Sequence, residues 1–237
     1  MSDRNADLPS RREENESAGT PHRQGALTGR DAALVYVVDD DRDVRQALAR
    51  LLRSAGLTVE AFGSAEAFLS QRLEDRPSCL VLDVRLPGPS GLDLQATLEQ
   101  QQLGIPIVFV TGHGDVPMSV RAMKAGAVDF LEKPFDDDEL LQAVERALEL
   151  SREHGAERAA RAMLQGRFAA LTARERQVLG LVVQGLLNKQ IADRLGAAEK
   201  TIKVHRGRVM EKMQANSVAD LVRMTQTLGL HGPPSGT

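Results

Sequence analysis

The chain has 237 residues, 42% of them hydrophobic and 27% charged, which is ordinary globular composition and suggests one or two domains. A single cysteine excludes an intrachain disulfide framework, and the absence of tryptophan leaves the cores to Leu, Val, Ile, Ala and Met. The net charge of −3 conceals an asymmetry: residues 34–150 carry 11 Lys and Arg against 20 Asp and Glu, whereas residues 168–231 carry 10 against 5. An acidic first half and a basic second half imply two domains with different partners, the basic one a nucleic-acid candidate. No apolar run approaches the ~18 residues of a membrane span. The charged N-terminus lacks the apolar stretch of a secretory signal. A cytoplasmic protein with no membrane partner is expected, and Cys79, in an apolar run, is expected to be a buried structural thiol.

Residues 1–33 are polar and aperiodic and read as a disordered tail, as do 232–237. From residue 34 short apolar runs alternate with amphipathic segments. Strands are expected at Val35–Val38, Leu57–Phe62, Cys79–Leu82, Pro106–Val110 and Val128–Leu131. Helices are expected at Asp43–Ser54, after the cap Ser64, at Leu92–Gln101, at Val116–Lys124 and from Asp137 to Leu150. Five βα units over 34–150 indicate an α/β domain: a flavodoxin-like, doubly wound, five-stranded parallel sheet of order 2-1-3-4-5. Residues 151–167 read as a partly helical linker broken at Gly155 and ending at Gly166. Residues 168–231 read as an all-α domain with four helices near 172–185, 188–195, 199–213 and 217–228.

In open α/β sheets, ligands bind beyond the carboxyl ends of the strands. The polar residues at those ends are Asp39, Asp40 and Asp41 after strand one, Asp83 after strand three, Thr111 after strand four and Lys133 after strand five. The strand order brings Asp39, Asp40 and Asp83 together, with Thr111 and Lys133 on the far side. Clustered carboxylates repel unless a cation sits among them. An all-oxygen set suits Mg²⁺ or Mn²⁺, which takes a few carboxylates and favours a phosphate oxygen as a further ligand. With Lys133 and Thr111 nearby, the chemistry indicated is phosphoryl transfer to a carboxylate.

The motifs Val-Asp-Asp-Asp at 38–41, Leu-Asp-Val-Arg-Leu-Pro at 82–87, Val-Thr-Gly at 110–112 and Lys-Pro-Phe at 133–135 resemble the receiver domain of bacterial two-component response regulators. The stretches Thr-Gly-His-Gly-Asp-Val-Pro-Met at 111–118 and Ala-Met-Lys-Ala-Gly-Ala-Val-Asp-Phe-Leu-Glu-Lys-Pro-Phe at 122–135 resemble its FixJ subfamily. The resemblance implies that Asp83 is the phosphoacceptor. It implies that Asp39, Asp40, Asp83 and the backbone carbonyl of Arg85 hold Mg²⁺, and that Thr111 and Lys133 contact the phosphoryl group. It makes Thr111 and Phe130 the switch pair and the Lys133–Pro134 peptide cis, with Asp41 secondary. His113, flanked by glycines, reads as conformational.

In the basic half, Thr172 with Glu175 three residues on forms a capping box. Asn188 is expected to cap the next helix and Gly196 to end it. Two short helices around a turn make a helix-turn-helix whose second helix enters the major groove. Ile202, Val209 and Met213 share its core face, and Lys200, Lys203, Val204, Gly207 and Arg208 share the opposite one. Basic residues beside a small apolar one suit phosphates, guanine edges and thymine methyls. The runs Leu171-Thr-Ala-Arg-Glu-Arg-Gln-Val-Leu, Asn188-Lys-Gln-Ile-Ala and Thr201-Ile-Lys-Val-His-Arg resemble the LuxR/NarL-type DNA-binding domain. This implies DNA contacts by Asn188, Lys189, Lys200, Thr201, Lys203, Val204, His205 and Arg208. Gly207 stands where a longer residue is frequent.

Together the resemblances imply a phosphorylation-activated transcriptional regulator that is not an enzyme. Its partners would be a sensor histidine kinase, promoter DNA, RNA polymerase and a second copy of itself. Two alternatives remain. A constitutive DNA-binding protein with a silent first domain is one. An aspartyl-phosphate phosphatase is the other, and it would need Asp-x-Asp-x-Thr/Val on strand one, which Asp39–Arg45 does not supply. No Gly-x-Gly-x-x-Gly or P-loop supports nucleotide binding.

Overall fold

The computed structural model describes residues 33–112 and 115–230; His113 lies outside them, as do both expected tails except Ala33. The first domain is a five-stranded parallel sheet of order β2-β1-β3-β4-β5. Its strands are β1 (Leu34–Val38), β2 (Thr58–Phe62), β3 (Ser78–Asp83), β4 (Ile107–Thr111) and β5 (Asp129–Glu132). Between and after them run α1 (Arg42–Ser54), α2 (Ala65–Leu69), α3 (Gly91–Gln100), α4 (Val116–Lys124) and α5 (Asp137–Ala169). All five residues of β1 and all six of β3 are buried. A strand covered on both faces is apolar throughout, and alternation divides its residues between two cores. Val35, Val37, Cys79, Val81, Val108 and Val110 meet Leu48 and Leu52 of α1 and Leu140, Val144 and Leu148 of α5. Leu34, Tyr36, Val38, Leu80, Leu82 and Phe109 meet Phe68 of α2 and Leu94 and Leu98 of α3. Burial pushes the Cys79 thiol up to about 12, so it stays protonated and inert.

The helical domain comprises α6 (Ala173–Val183), α7 (Asn188–Leu195), α8 (Glu199–Met213) and α9 (Val218–Thr227). They enclose one core of Leu171, Val178, Leu179, Val182, Ile191, Ile202, Val209, Met213 and Leu221. The expected capping box is present: Thr172 N donates to Glu175 Oε2 at 2.9 Å, and Glu175 N donates to Thr172 Oγ1 at 3.3 Å. Gly196 closes α7 in the left-handed conformation.

Two local expectations change. Asn188 is the first residue of α7 rather than its cap; the cap position is Leu187, whose N–H donates to Gln190 Oε1 at 2.8 Å. The Asn188 side-chain oxygen instead accepts from Arg206 Nη1 of α8 at 3.1 Å. And α5 does not break at Gly155: it runs unbroken through Gly155 and Gly166 to Ala169. Each glycine costs a helix ~1 kcal/mol relative to Ala, and the surrounding Ala, Arg, Glu, Leu and Met are among the best helix formers. The helix is also anchored on either side of its two glycines. Ser151 Oγ accepts from Ser78 N at 3.0 Å in the first domain. Lys212 Nζ donates to Ala170 O at 3.2 Å, just past the C-terminal end of the helix. None of the described helices is long and apolar enough to cross a membrane.

Candidate functional site

Parallel strands carry their C-terminal residues to one edge of the sheet, and β1 and β3 are neighbours. That placement brings Asp39, which follows β1, beside Asp83, which ends β3. One carboxylate oxygen from each of Asp39, Asp40 and Asp83 lies within 4.8 Å of the others. Asp39 and Asp83 are buried and Asp40 is exposed. Asp41 is spent elsewhere: its side chain caps α1, accepting from Asp43 N at 2.8 Å and Val44 N at 3.2 Å.

Lys133 reaches back across the site. Its Nζ lies 2.7 Å from Asp39 Oδ2 and 3.0 Å from Asp83 Oδ2, so it bridges the two buried carboxylates. The Lys133–Pro134 peptide is cis. Burial pushes the Asp39 carboxyl up, against the hydrogen bond and charge of Lys133 that pull it down. Burial alone would lower the Lys133 ammonium, but the bonds to Asp39 and Asp83 outweigh it and hold it above its ordinary value. Three carboxylates faced by one ammonium leave excess negative charge on an all-oxygen donor set. Such a set fits a hard divalent cation of the Mg²⁺ type, which takes water and phosphate oxygens as its further ligands.

Thr111 is fully buried at the end of β4, and Phe130 of β5 lies half-buried with its ring 6.1 Å from that of Phe109. The backbone N–H of Arg85 donates to Asp83 Oδ1 at 3.0 Å, and the Arg85 side chain is exposed. Two supports were not singled out from sequence. Arg45 Nη1 donates to Asp39 O at 2.6 Å and Asp40 O at 3.2 Å, and so holds the acidic loop to α1. A Cβ on Gly91 would lie 2.3 Å from the backbone oxygen of Asp83, so α3 begins in backbone contact with the residue ending β3. The arginine's signal was weak, because an exposed-looking helix arginine is common. The glycine's required knowing where α3 starts.

On the second domain, Lys200, Thr201, Lys203, Val204 and Arg208 are exposed along α8, and Lys189 is exposed on α7. Ile202, Val209 and Met213 are buried beneath them. His205 is half-buried, and its Nδ1 is shielded with no hydrogen-bond partner among the described residues. Lys212, near the end of α8, donates to Glu175 Oε2 at 2.7 Å and ties that helix to the start of α6. That bond, with the Thr172 N–H, holds the Glu175 carboxyl at about 2, far below its ordinary value.

Comparison with known proteins agrees with both halves. The family model for the response regulator receiver domain matches residues 35–145, and that for bacterial regulatory proteins of the luxR family matches residues 169–225. Nodulation protein W of Bradyrhizobium diazoefficiens is 55% identical over 198 residues, 84% of this chain and 87% of that protein. Transcriptional regulatory protein FixJ of Azorhizobium caulinodans is 48% identical over 83% of this chain and 93% of its own length. The solved structure of response regulator StyR is 51% identical and covers 82% of this chain and 98% of its own, with a TM-score of 0.74. With the acidic cluster at the sheet edge and the helix-turn-helix behind it, the chain belongs to the two-component response regulators, non-enzymatic phosphoacceptor proteins that join a receiver domain to a LuxR/FixJ-type DNA-binding domain.

Proposed function

We propose that Asp83 accepts a phosphoryl group from a sensor histidine kinase, and that the modified chain dimerises, binds promoter DNA and activates transcription with RNA polymerase. The supporting observation is the convergence of Asp39, Asp40 and Asp83 at one sheet edge, with Lys133 bridging the two buried carboxylates. In the transfer, an oxygen of the Asp83 carboxylate attacks phosphorus. A P–O bond forms as the P–N bond of the donor phosphohistidine breaks, and the imidazole leaves with the electron pair. Asp39, Asp40 and Asp83, with the Arg85 carbonyl, are the residues that would hold Mg²⁺; when bound, the cation supplies charge neutralisation on the transferring phosphoryl oxygens. Lys133 supplies a second, fixed positive charge, and Thr111 supplies a hydroxyl donor from the end of β4.

The receiver spans 34–150 in this reading and the DNA-binding domain 168–231, with 151–167 joining them. The switch runs from Thr111 and Phe130 to α4. Val116, Val120 and Met123 are exposed on that helix at i, i+4 and i+7, an apolar stripe suited to a second copy of the chain. On DNA, Lys203 and Val204 would meet base edges. Lys189, Lys200, Thr201, His205 and Arg208 would meet phosphates or guanine, and Asn188 would contribute through its amide NH₂. A DNA target places the protein in the cytoplasm. Phosphorylation acts through differential interactions in two states.

Intact mass after incubation with Mg²⁺ and acetyl phosphate, for wild type and Asp83→Ala, tests the assignment, with sedimentation on the same samples. One hydroxylamine-labile phosphoryl group on wild type alone, with a shift to dimer, is the expected result. Failure with acetyl phosphate and with a phosphorylated histidine kinase would leave a constitutive DNA-binding protein with a silent receiver.

A further inference from the structure

The buried stripe of α3 consists of Gly91, Leu94, Gln95 and Leu98. Gln95 is a polar amide at a core position, 4% exposed. Its Nε2 donates two hydrogen bonds, 3.1 Å to Ala122 O and 3.0 Å to Ala125 O. Both acceptors belong to the C-terminal end of α4. There the chain turns through Gly126 at φ +82°, with Ala127 N donating to Ala122 O at 3.1 Å and Gly126 N to Met123 O at 3.0 Å. This is a Schellman turn: its own bonds satisfy the Ala122 and Met123 carbonyls, so Gln95 adds a second donor to Ala122 O and brings one to Ala125 O, which those bonds do not reach. Gln95 therefore completes the cap of α4 from a neighbouring helix.

The rest of α4 is lightly held. Ala122 is its one fully buried residue among those described, and Val116, Val120 and Met123 face outward. The helix spans nine residues, about 13 Å. Its N-terminal end follows Thr111 at the phosphorylation edge, and its C-terminal end sits beside Gln95 near the opposite edge of the sheet. A helix tethered at one end moves most at the other.

We infer that Gln95 is a positioning residue: it clamps the C-terminal end of α4 and makes that end the pivot about which the helix moves when Asp83 is phosphorylated. The clamp is a property of the resting protein; the pivot rests on the phospho-switch reading above.

The test uses the full-length chain with Gln95→Met, which keeps length and volume but removes the donors. Its counterpart is Gln95→Lys, whose ammonium can donate to the same carbonyls and is favoured at a helix C-terminus. Hydrogen exchange at amides 125–127 of the unphosphorylated protein reads the clamp. Loss of a buried cap should speed exchange about tenfold in the Met variant, while the Lys variant stays within about threefold of wild type. After acetyl phosphate and Mg²⁺, both variants should gain the phosphoryl group as wild type does. The Met variant alone should show a dimer dissociation constant about tenfold higher. Wild-type exchange in the Met variant, or equal acceleration in both, would reduce Gln95 to a space-filling role and overturn the inference. Loosened amides with unchanged phospho-dimerisation would overturn the pivot. If wild type itself takes no phosphoryl group, the functional reading fails, and the exchange data still decide the clamp. Gln95→Leu serves if the Met chain is insoluble.

Discussion

Gly91→Ala is a one-methyl change whose effect follows from a single contact. The new Cβ would sit 2.3 Å from the Asp83 backbone oxygen, 3.0 Å from Val84 Cα and 3.1 Å from Asp83 C. All three are backbone atoms, so no side chain can swing away, and relief needs α3 and the end of β3 to part by about 1 Å, given that carbon–carbon contacts settle near 3.5–4.0 Å. Overpacking of this kind costs about 3 kcal/mol at the upper end of its range. The better helix propensity of Ala returns at most ~1 kcal/mol. The net expectation is a loss of about 2 kcal/mol. Tyr36 is the chain's only tyrosine, no tryptophan is present, and Tyr36 is buried in the receiver, so its fluorescence during urea unfolding reports that domain alone. The Asp83 carboxylate should move with its backbone, and phosphoryl uptake should slow by about 10²-fold, the penalty for a ~1 Å misplacement. Gly207→Ala is the control: its Cβ meets nothing within 4 Å, so it should stabilise the DNA-binding domain by up to ~1 kcal/mol. A Gly91→Ala chain as stable as wild type and phosphorylated at the same rate would refute the argument that this contact sets the position of Asp83.

Three further outcomes are expected. Mg²⁺ at ten times its dissociation constant should stabilise the wild-type receiver by about 1.4 kcal/mol, and Asp40→Asn, an exposed change, should abolish that gain without harming the metal-free fold; thermal melts with and without Mg²⁺ decide it. The Glu175 carboxyl lies at about 2 against an ordinary 4.5, so its stabilising contribution is complete above 4.5 and is lost as pH falls from 4.5 toward 2; melts of Glu175→Gln followed by circular dichroism should show a flatter pH dependence over that window. Lys203→Ala should relax the preference at one base position of the operator, read by fluorescence anisotropy across operator variants; uniform weakening at every sequence, with the salt slope lowered by about 1, would refute the base contact.

The sheet edge was legible because apolar runs end where their acids begin: Val-Val before Asp39 and Leu-Val-Leu before Asp83 fix both the strand and its exit. The strand order followed from the doubly wound pattern and is as expected. Strand order puts Lys133 on the far side with Thr111, yet its long side chain spans to Asp39, because four methylenes reach farther than strand order suggests. Gln95 carries no signal in the sequence, since no one-dimensional pattern says that a neighbouring helix ends against it. Asn188 had the chemistry of a cap, but the turn begins one residue earlier and Arg206 claims its oxygen. Propensity reads Gly155 as a stop, whereas anchorage on either side of the two glycines keeps α5 continuous.

That continuity turns distance into angle. A helix of 33 residues is about 50 Å long, and every residue advances it ~1.5 Å while turning it ~100°. Inserting one residue near Ala159 would face the DNA-binding domain in a different direction, while inserting seven would carry it ~10 Å outward yet return it to within ~20° of its original bearing. In a regulator joined this way, linker length acts as a compass setting, and chains that keep the same phase can differ in reach while presenting the same face to their promoters.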